Sequence, residues 1–198
     1  MLNHVSDTRR QVLDAALKKF AHRGYEGTSV QDIVAAARVT KPTLYYYFEN
    51  KAKLYQALVD YAHDERYRLM QQAAACGRTT AEKLVEVAAA LFEFSRGHRE
   101  LMRIAFSTAF AAPGEMPEEI RYLAKCRRNF EFVHSLIKQG QAAGELDDRF
   151  ASKEQAFGFY GQLNVYVMSN LLLRDGELDR QTAQRMVELF LEGAAAKK

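Results

Sequence analysis

Apolar positions recur along the chain at three- and four-residue intervals, the period of helices with one buried face. Leu13, Ala16, Leu17 and Phe20 form such a face behind Ser6 and Asp7, and Gly24 follows the run. Asp7 is placed to cap this first helix, and Gly24 to end it in a left-handed conformation. Gly27 falls in the next turn. Ser29-Val30-Gln31-Asp32 has capping-box spacing, with Asp32 a shorter substitute for the usual Glu. A short second helix is therefore expected from Ser29, with Ile33 and Ala36 or Ala37 inward. Arg38, Val39 and Thr40 make a turn, and Thr40 caps a third helix. Pro42 sits in its first turn, where a missing N–H costs nothing. Leu44 and Phe48, four apart, share the face that packs on the first helix. Asn50 caps a fourth helix through Leu54, Leu58 and Tyr61 toward Ala75.

Beyond Gly77 the pattern predicts helices at 80–96, 99–111, 117–142, 151–174 and 178–194. Pro113, Gly114 and Pro117 mark one loop, Gly144 to Asp148 another, and Asp175-Gly176 a tight turn, with a frayed tail over Ala194–Lys198. No internal repeat or low-complexity tract interrupts the series. The expected fold class is all-α, with an N-terminal three-helix helix-turn-helix domain over 1–53 and a C-terminal helical domain over 54–198.

Composition narrows the function. Of 198 residues, 48% are hydrophobic and 27% charged, enough to fill a core and remain soluble. Residues 1–53 hold nine Lys and Arg against five Asp and Glu, a local charge of +4, whereas the remainder holds 19 against 20. A basic N-terminal module suggests a polyanionic partner; a solvated face is the competing reading. Cys76 and Cys126 lie far apart without CxxC spacing, so no disulfide framework is indicated and a reducing cytosol fits. The first residues are polar where a secretory signal needs an apolar run. The apolar stretch Leu163 to Leu173 is broken by Asn164 and Asn170 and is too short to span a bilayer. A cytoplasmic protein without membrane association is expected.

Two short helices joined by a tight turn, with a third behind, is the helix-turn-helix layout, whose second helix enters the major groove by its N-terminal residues. Those residues are Thr40, Lys41, Pro42, Thr43 and Tyr45. Thr and Lys reach base edges or phosphates, and a threonine methyl or proline ring can meet a thymine methyl. Tyr45, Tyr46 and Tyr47 turn 100° apart, so at least one must point outward, where a hydroxyl suits a phosphate. Helix starts at Thr28–Ser29, Thr40 and Asn50, the last followed by Lys51, cluster here; helix N-termini attract phosphate, and a capping role is compatible with that.

The run from Gly27 to Lys51, GTSVQDIVAAARVTKPTLYYYFENK, with Ala15-Ala16-Leu17 to Phe20 and Gly24-Tyr25 upstream, resembles the DNA-binding signature of TetR/AcrR-type transcriptional regulators. The resemblance covers about a quarter of the chain. It departs at two positions: Arg38 and Pro42 stand where that family often has Gly, and a positive φ at Arg38 is more costly for Arg than for Gly. The resemblance implies a homodimeric repressor on palindromic operator DNA, released when a small molecule enters the C-terminal domain and reorients the DNA-binding heads. It places DNA contacts at Thr28, Thr40, Lys41, Thr43, Tyr45, Tyr47 and Lys51. Lys41 and Thr43 are then base readers, and Tyr47 and Lys51 backbone contacts.

No effector follows from the resemblance. Met102, Phe106 and Phe110 recur every four residues, and Ile120, Leu123, Phe130, Val133 and Ile137 make a second stripe. Such stripes are more often core, while a ligand pocket is also mostly apolar with a few placed polar groups. Met102, Phe106, Phe110, Arg127, Phe130, His134, Tyr160 and Asn164 are the expected effector-binding residues, for a hydrophobic small molecule. An inward Arg127 favours an anionic or hydrogen-bond-accepting ligand; an Arg127 at the stripe's edge reaches water instead. The helix at 151–174 is apolar on more than one face, through Phe157, Phe159, Tyr160, Leu163, Val165, Val167 and Leu171. Gly158 and Gly161 would admit another backbone. With Ala183, Met186, Val187, Phe190 and Ala194 of the last helix it is the expected dimer interface.

An enzyme is the alternative class. His4, His22, His63, His98 and His134 form no HExxH or i,i+4 pair, and no GxSxG, P-loop or GxGxxG occurs. No cofactor or metal is indicated. A helical protein–protein adaptor without DNA binding is the third reading, which DNA binding separates from the first.

Overall fold

Side-chain caps set the boundaries of most helices. The computed structural model describes residues 7–112, 114–173 and 177–193, which are helical with no strand among them. The helices are α1 (Asp7–Arg23), α2 (Val30–Ala37), α3 (Lys41–Tyr47), α4 (Lys51–Ala74), α5 (Thr80–Gly97), α6 (Arg99–Ala109), α7 (Leu123–Ala142), α8 (Ser152–Leu173) and α9 (Arg180–Glu192). They group into two units. The first holds residues up to Ala62 with 100–123, and the second holds 63–99 with the residues from Ala124 onward.

In the first unit α1, α2 and α3 pack pairwise. Val12, Ala16, Ile33, Leu44 and Leu54 are fully buried there, and Phe20, Tyr25 and Tyr55 meet edge-on or stacked at 5.0–5.9 Å. Burying each large side chain contributes roughly 1.5–3 kcal/mol. The Tyr55 hydroxyl bonds Thr108 Oγ1 of α6 at 2.8 Å, which ties α6 into this unit. Gly27 is required by close approach: a Cβ there would lie 2.4 Å from the Arg23 carbonyl oxygen.

In the second unit α9 packs on α5 and α8. Leu84, Val87, Phe92, Phe159, Leu163 and Met186 are sealed in its core. The α5 start is fixed by a capping box between Thr79 and Glu82, and the Thr80 N–H also donates to Glu145 at 2.5 Å.

Four expectations are corrected. The helix expected over 117–142 begins only at Leu123. Gln56 accepts from the Arg121 N–H at 2.6 Å and donates to its carbonyl at 2.9 Å, and the Ile120 N–H turns back to Pro117. Those backbone groups are thus engaged outside any helical ladder, and Ile120 is buried from a turn. Asp7 lies within the first turn of α1 instead of capping it, where its charge still suits the helix dipole. The helix expected over 99–111 ends at Ala109. Ala183, Met186 and Val187, expected at a dimer interface, are buried within the chain, because α9 turns this face onto α5. Ser6, Pro113, the turn at Asp175-Gly176 and the tail Ala194–Lys198 lie outside the described residues.

Candidate DNA-binding site

The site starts from two caps. Ser29 Oγ accepts from the Asp32 N–H at 3.1 Å, and the Asp32 carboxylate accepts from the Ser29 N–H at 3.1 Å, a closed capping box. Hydrogen bonds from Ser29, more than the nearby Arg23, hold the Asp32 carboxyl below its ordinary range. Thr40 Oγ1 accepts from the Thr43 N–H at 3.3 Å and lies 2.8 Å from Thr43 Oγ1. Between the two helices Arg38 closes α2 in the left-handed region, with φ 53 and ψ 42. The positive φ anticipated as costly for a non-glycine is therefore present. Asn50 Oδ1 accepts from the Lys53 N–H at 2.8 Å and opens α4.

Leu44 and Phe48 are buried and anchor α3, so its opposite side is open. Thr40, Lys41, Pro42, Tyr45 and Tyr46 are exposed, and Thr43 and Tyr47 are half-buried. Tyr46 is 82% exposed and Tyr45 47%, and the Tyr46 and Tyr47 rings meet edge-on at 4.9 Å. Tyr46 was absent from the expected contacts, although it stands 200° around the helix from Leu44. That angle was the signal for it. Lys51 Nζ lies 4.1 Å from the centre of the Tyr25 ring, which holds the ammonium beside the α4 start.

Thr28 requires a correction. It is fully buried, and its hydroxyl donates to the Gly24 carbonyl at 2.8 Å. Its side chain braces the turn and has no open face for DNA. A cleft of about 680 Å³ runs between α1 and α2, lined by Lys18, Lys19, His22, Arg23 and Arg38, with Asp14 its one acid.

The expected effector residues divide between the units. In the first, Met102 is sealed, Phe106 is half-buried and Phe110 is 74% exposed, its ring stacked 6.5 Å from Phe106. In the second, Phe130 gathers Phe157 at 4.7 Å and Tyr160 and His134 at 6.1 Å. Asn164 Nδ2 donates to the Tyr160 carbonyl at 2.7 Å. Arg127 is exposed, at the edge of its stripe, so the inward reading fails for it. A different arginine is inside. Arg66 of α4 is 5% exposed and donates to Asn164 Oδ1 at 2.9 Å. Its signal was its register: Val59, Ala62, His63, Arg66 and Met70 recur at the three- and four-residue spacing of a buried face.

Residues 12–58 match the family model of bacterial regulatory proteins, tetR family. The regulator TtgR of Pseudomonas putida, described as an HTH-type transcriptional regulator, is 43% identical over 58 residues, 29% of this chain. That match spans only 28% of TtgR's length. The fold extends further. FadR from Bacillus subtilis, solved with stearoyl-CoA, superposes with a TM-score of 0.79 at 21% identity, over 94% of this chain and 99% of FadR. AibR, solved with isovaleryl coenzyme A and operator DNA, superposes with a TM-score of 0.74 at 25% identity, over 93% and 98%. Residues 12–58 thus match the helix-turn-helix of the tetR family of bacterial regulatory proteins, and they are carried on a helical fold that FadR and AibR share along nearly the whole length of the chain.

Proposed function

We propose that the protein is a ligand-responsive transcriptional repressor that binds palindromic operator DNA as a homodimer. Residues 1–53 are the DNA-reading part, and 54–198 carry effector binding and dimerisation. The observation that carries the reading is α3, held by buried Leu44 and Phe48 so that Thr40, Lys41, Pro42 and Tyr45 face outward from its first turns. Lys41 and Thr43 are the base readers, and Tyr47 and Lys51 contact the phosphate backbone; Tyr46 joins them as the most exposed ring. Met102 and Phe110, one sealed and one open, do not support an effector contact. That reading rests on Phe130, His134, Tyr160 and Asn164.

Titrating the protein onto its own upstream DNA over a salt series tests the proposal. Each phosphate contact steepens the fall of log K with log salt by nearly one unit. A steep slope with preference for one upstream palindrome is expected. Absence of DNA binding at low salt favours the adaptor reading and overturns this one. Repression is read separately: deleting the coding sequence raises transcription from the bound promoter, whereas a fall makes the protein an activator.

A further inference from the structure

The second unit contains a buried cation without a counter-charge. Arg66 is 95% removed from solvent, since only 5% of its surface is exposed. A guanidinium remains protonated under any physiological condition and presents five N–H donors in a planar fork. Among the described residues Arg66 makes no ion pair, and one hydrogen bond, to Asn164 Oδ1 at 2.9 Å, engages one of its nitrogens. Asn164 is itself oriented by the hydrogen bond from its Nδ2 to the Tyr160 carbonyl at 2.7 Å. Three other cations of this unit are paired with carboxylates. Lys125 and Arg128 share Asp64 at 2.7 and 2.8 Å, and Arg180 pairs with Glu86.

Burying a charge costs several kcal/mol unless it is paired and hydrogen-bonded. An unpaired Arg66 is therefore a standing cost to the fold. Its field is felt nearby: after burial itself, Arg66 leads the charges that hold His63 down to about 4. The sealed polar atoms without partners here are Arg128 Nε, Asn129 Oδ1 and Gln162 Oε1. The Arg66 nitrogens are not among them, so those left without a partner are not wholly sealed from solvent. The Tyr160 ring, on the same helix α8 as Asn164, meets the Phe130 ring of α7 at 6.1 Å, and the two offer apolar surface for the body of a small molecule.

We propose that Arg66, held in place by Asn164, is the group that binds an oxyanion on the effector, so that the effector is an organic acid with an apolar body: a carboxylate or a phosphate ester. This rests on the ligand-responsive reading given above. It moves the anion contact from exposed Arg127 to Arg66. A two-oxygen anion takes two parallel N–H donors from one guanidinium, which supplies both the missing charge and the missing acceptors.

Sodium hexanoate, hexyl phosphate, hexanamide and 1-hexanol, each titrated onto the full-length protein in a thermal-unfolding assay, test it. One or both anions raise Tm with concentration, and the two neutral probes do not. Whichever anion acts identifies the oxyanion. Arg66→Met abolishes the anion-dependent shift, while its affinity for upstream DNA without probe stays that of the unsubstituted protein. Arg66→Lys keeps the charge but not the fork and weakens the anion about tenfold or more; it carries the test if Arg66→Met does not fold. Equal shifts by anionic and neutral probes, no shift with either anion, or undiminished anion affinity in the variants overturns the proposal. Loss of DNA binding by the unsubstituted protein would instead strike the regulator reading, so the two failures are distinguishable.

Discussion

Arg38 occupies a conformation that non-glycine residues avoid, at the turn that aims α3. The left-handed region costs a non-glycine residue about 1–2 kcal/mol, and glycine's extra chain entropy returns roughly half of that. Arg38→Gly is therefore expected to raise stability by about 0.5–1 kcal/mol, read from the urea midpoint, and Arg38→Val to lower it. An unchanged midpoint in both would show that the φ of 53 carries no strain. Lys41 and Lys51 differ in another way. Lys41 is exposed at the first position of α3, whereas Lys51 is half-buried against Tyr25. Lys41→Ala is expected mainly to relax base preference at one operator position, by about 1–3 kcal/mol of discrimination. Lys51→Ala should weaken specific and non-specific DNA alike and reduce the salt slope by about one unit; equal loss of specificity in both variants would refute this division. His63 sets a pH dependence. Burial first, then Arg66, Lys125 and Arg128 against the single opposing charge of Asp64, hold it at about 4. Its folded pKa lies below the unfolded value of about 6.5, so the unfolded chain binds more protons between those limits. Stability from His63 is full above that window and declines as pH falls from about 6.5 to 4, by up to about 3 kcal/mol. Urea midpoints across this range should fall less in His63→Gln.

Elements were legible in the sequence where their determinants are local. Ser29, Asp32, Thr40 and Asn50 act on backbone groups three residues away, so spacing alone located the starts of α2, α3 and α4. Gly24, with φ +72, follows α1 as expected. The α7 start was not legible, because the groups that oppose it are 65 residues distant, at Gln56. Gln56→Ala should accordingly leave Arg121 without its two partners; a helix gaining a turn upstream of Leu123 would show as slowed amide exchange there. The face of α9 was misread for a related reason. Periodicity marks Ala183, Met186 and Val187 as buried but does not say by what, and α5 of the same chain covers them. Within the site, the outward face of α3 follows from Leu44 and Phe48, whereas the burial of Thr28 depends on a turn whose Gly24 carbonyl accepts its hydroxyl, which spacing does not reveal. Arg66 lies on a correctly periodic face, but its residue type argues against burial, since arginine is rarely buried. Ser29→Ala tests the local logic directly. It opens the capping box and is expected to cost about 1 kcal/mol, with the loss felt in DNA binding because α2 supports α3.

At the scale of the whole molecule, the dimer proposal requires an apolar surface that the chain leaves uncovered. With the α9 face spent on α5, α8 offers one. Phe157, Gly161, Val165 and Leu172 recur at intervals of four, four and seven residues, and so line one face. Phe157 is 58%, Val165 56% and Leu172 72% exposed, and a Cβ at Gly161 would meet nothing within 4 Å. Gly158, by contrast, faces the Phe190 ring of the same chain. A stripe with a flat notch at its middle lets a second helix approach closely, and under two-fold symmetry the same residues meet on both sides. A charge at its centre should then be prohibitive. Val165→Glu places two carboxylates against each other in a dimer, but leaves them in water in a monomer, so folding of the chain is expected to be unaffected. Sedimentation should show the unsubstituted protein as a dimer and the variant as a folded monomer. Because two linked heads bind a palindrome with an avidity that one lacks, the variant should lose about 10²–10⁴-fold in affinity for the full operator. Its affinity for an isolated half-site should stay the same, since α3 is untouched. A variant that remains dimeric, or that loses half-site and full-site binding equally, would remove α8 as the interface.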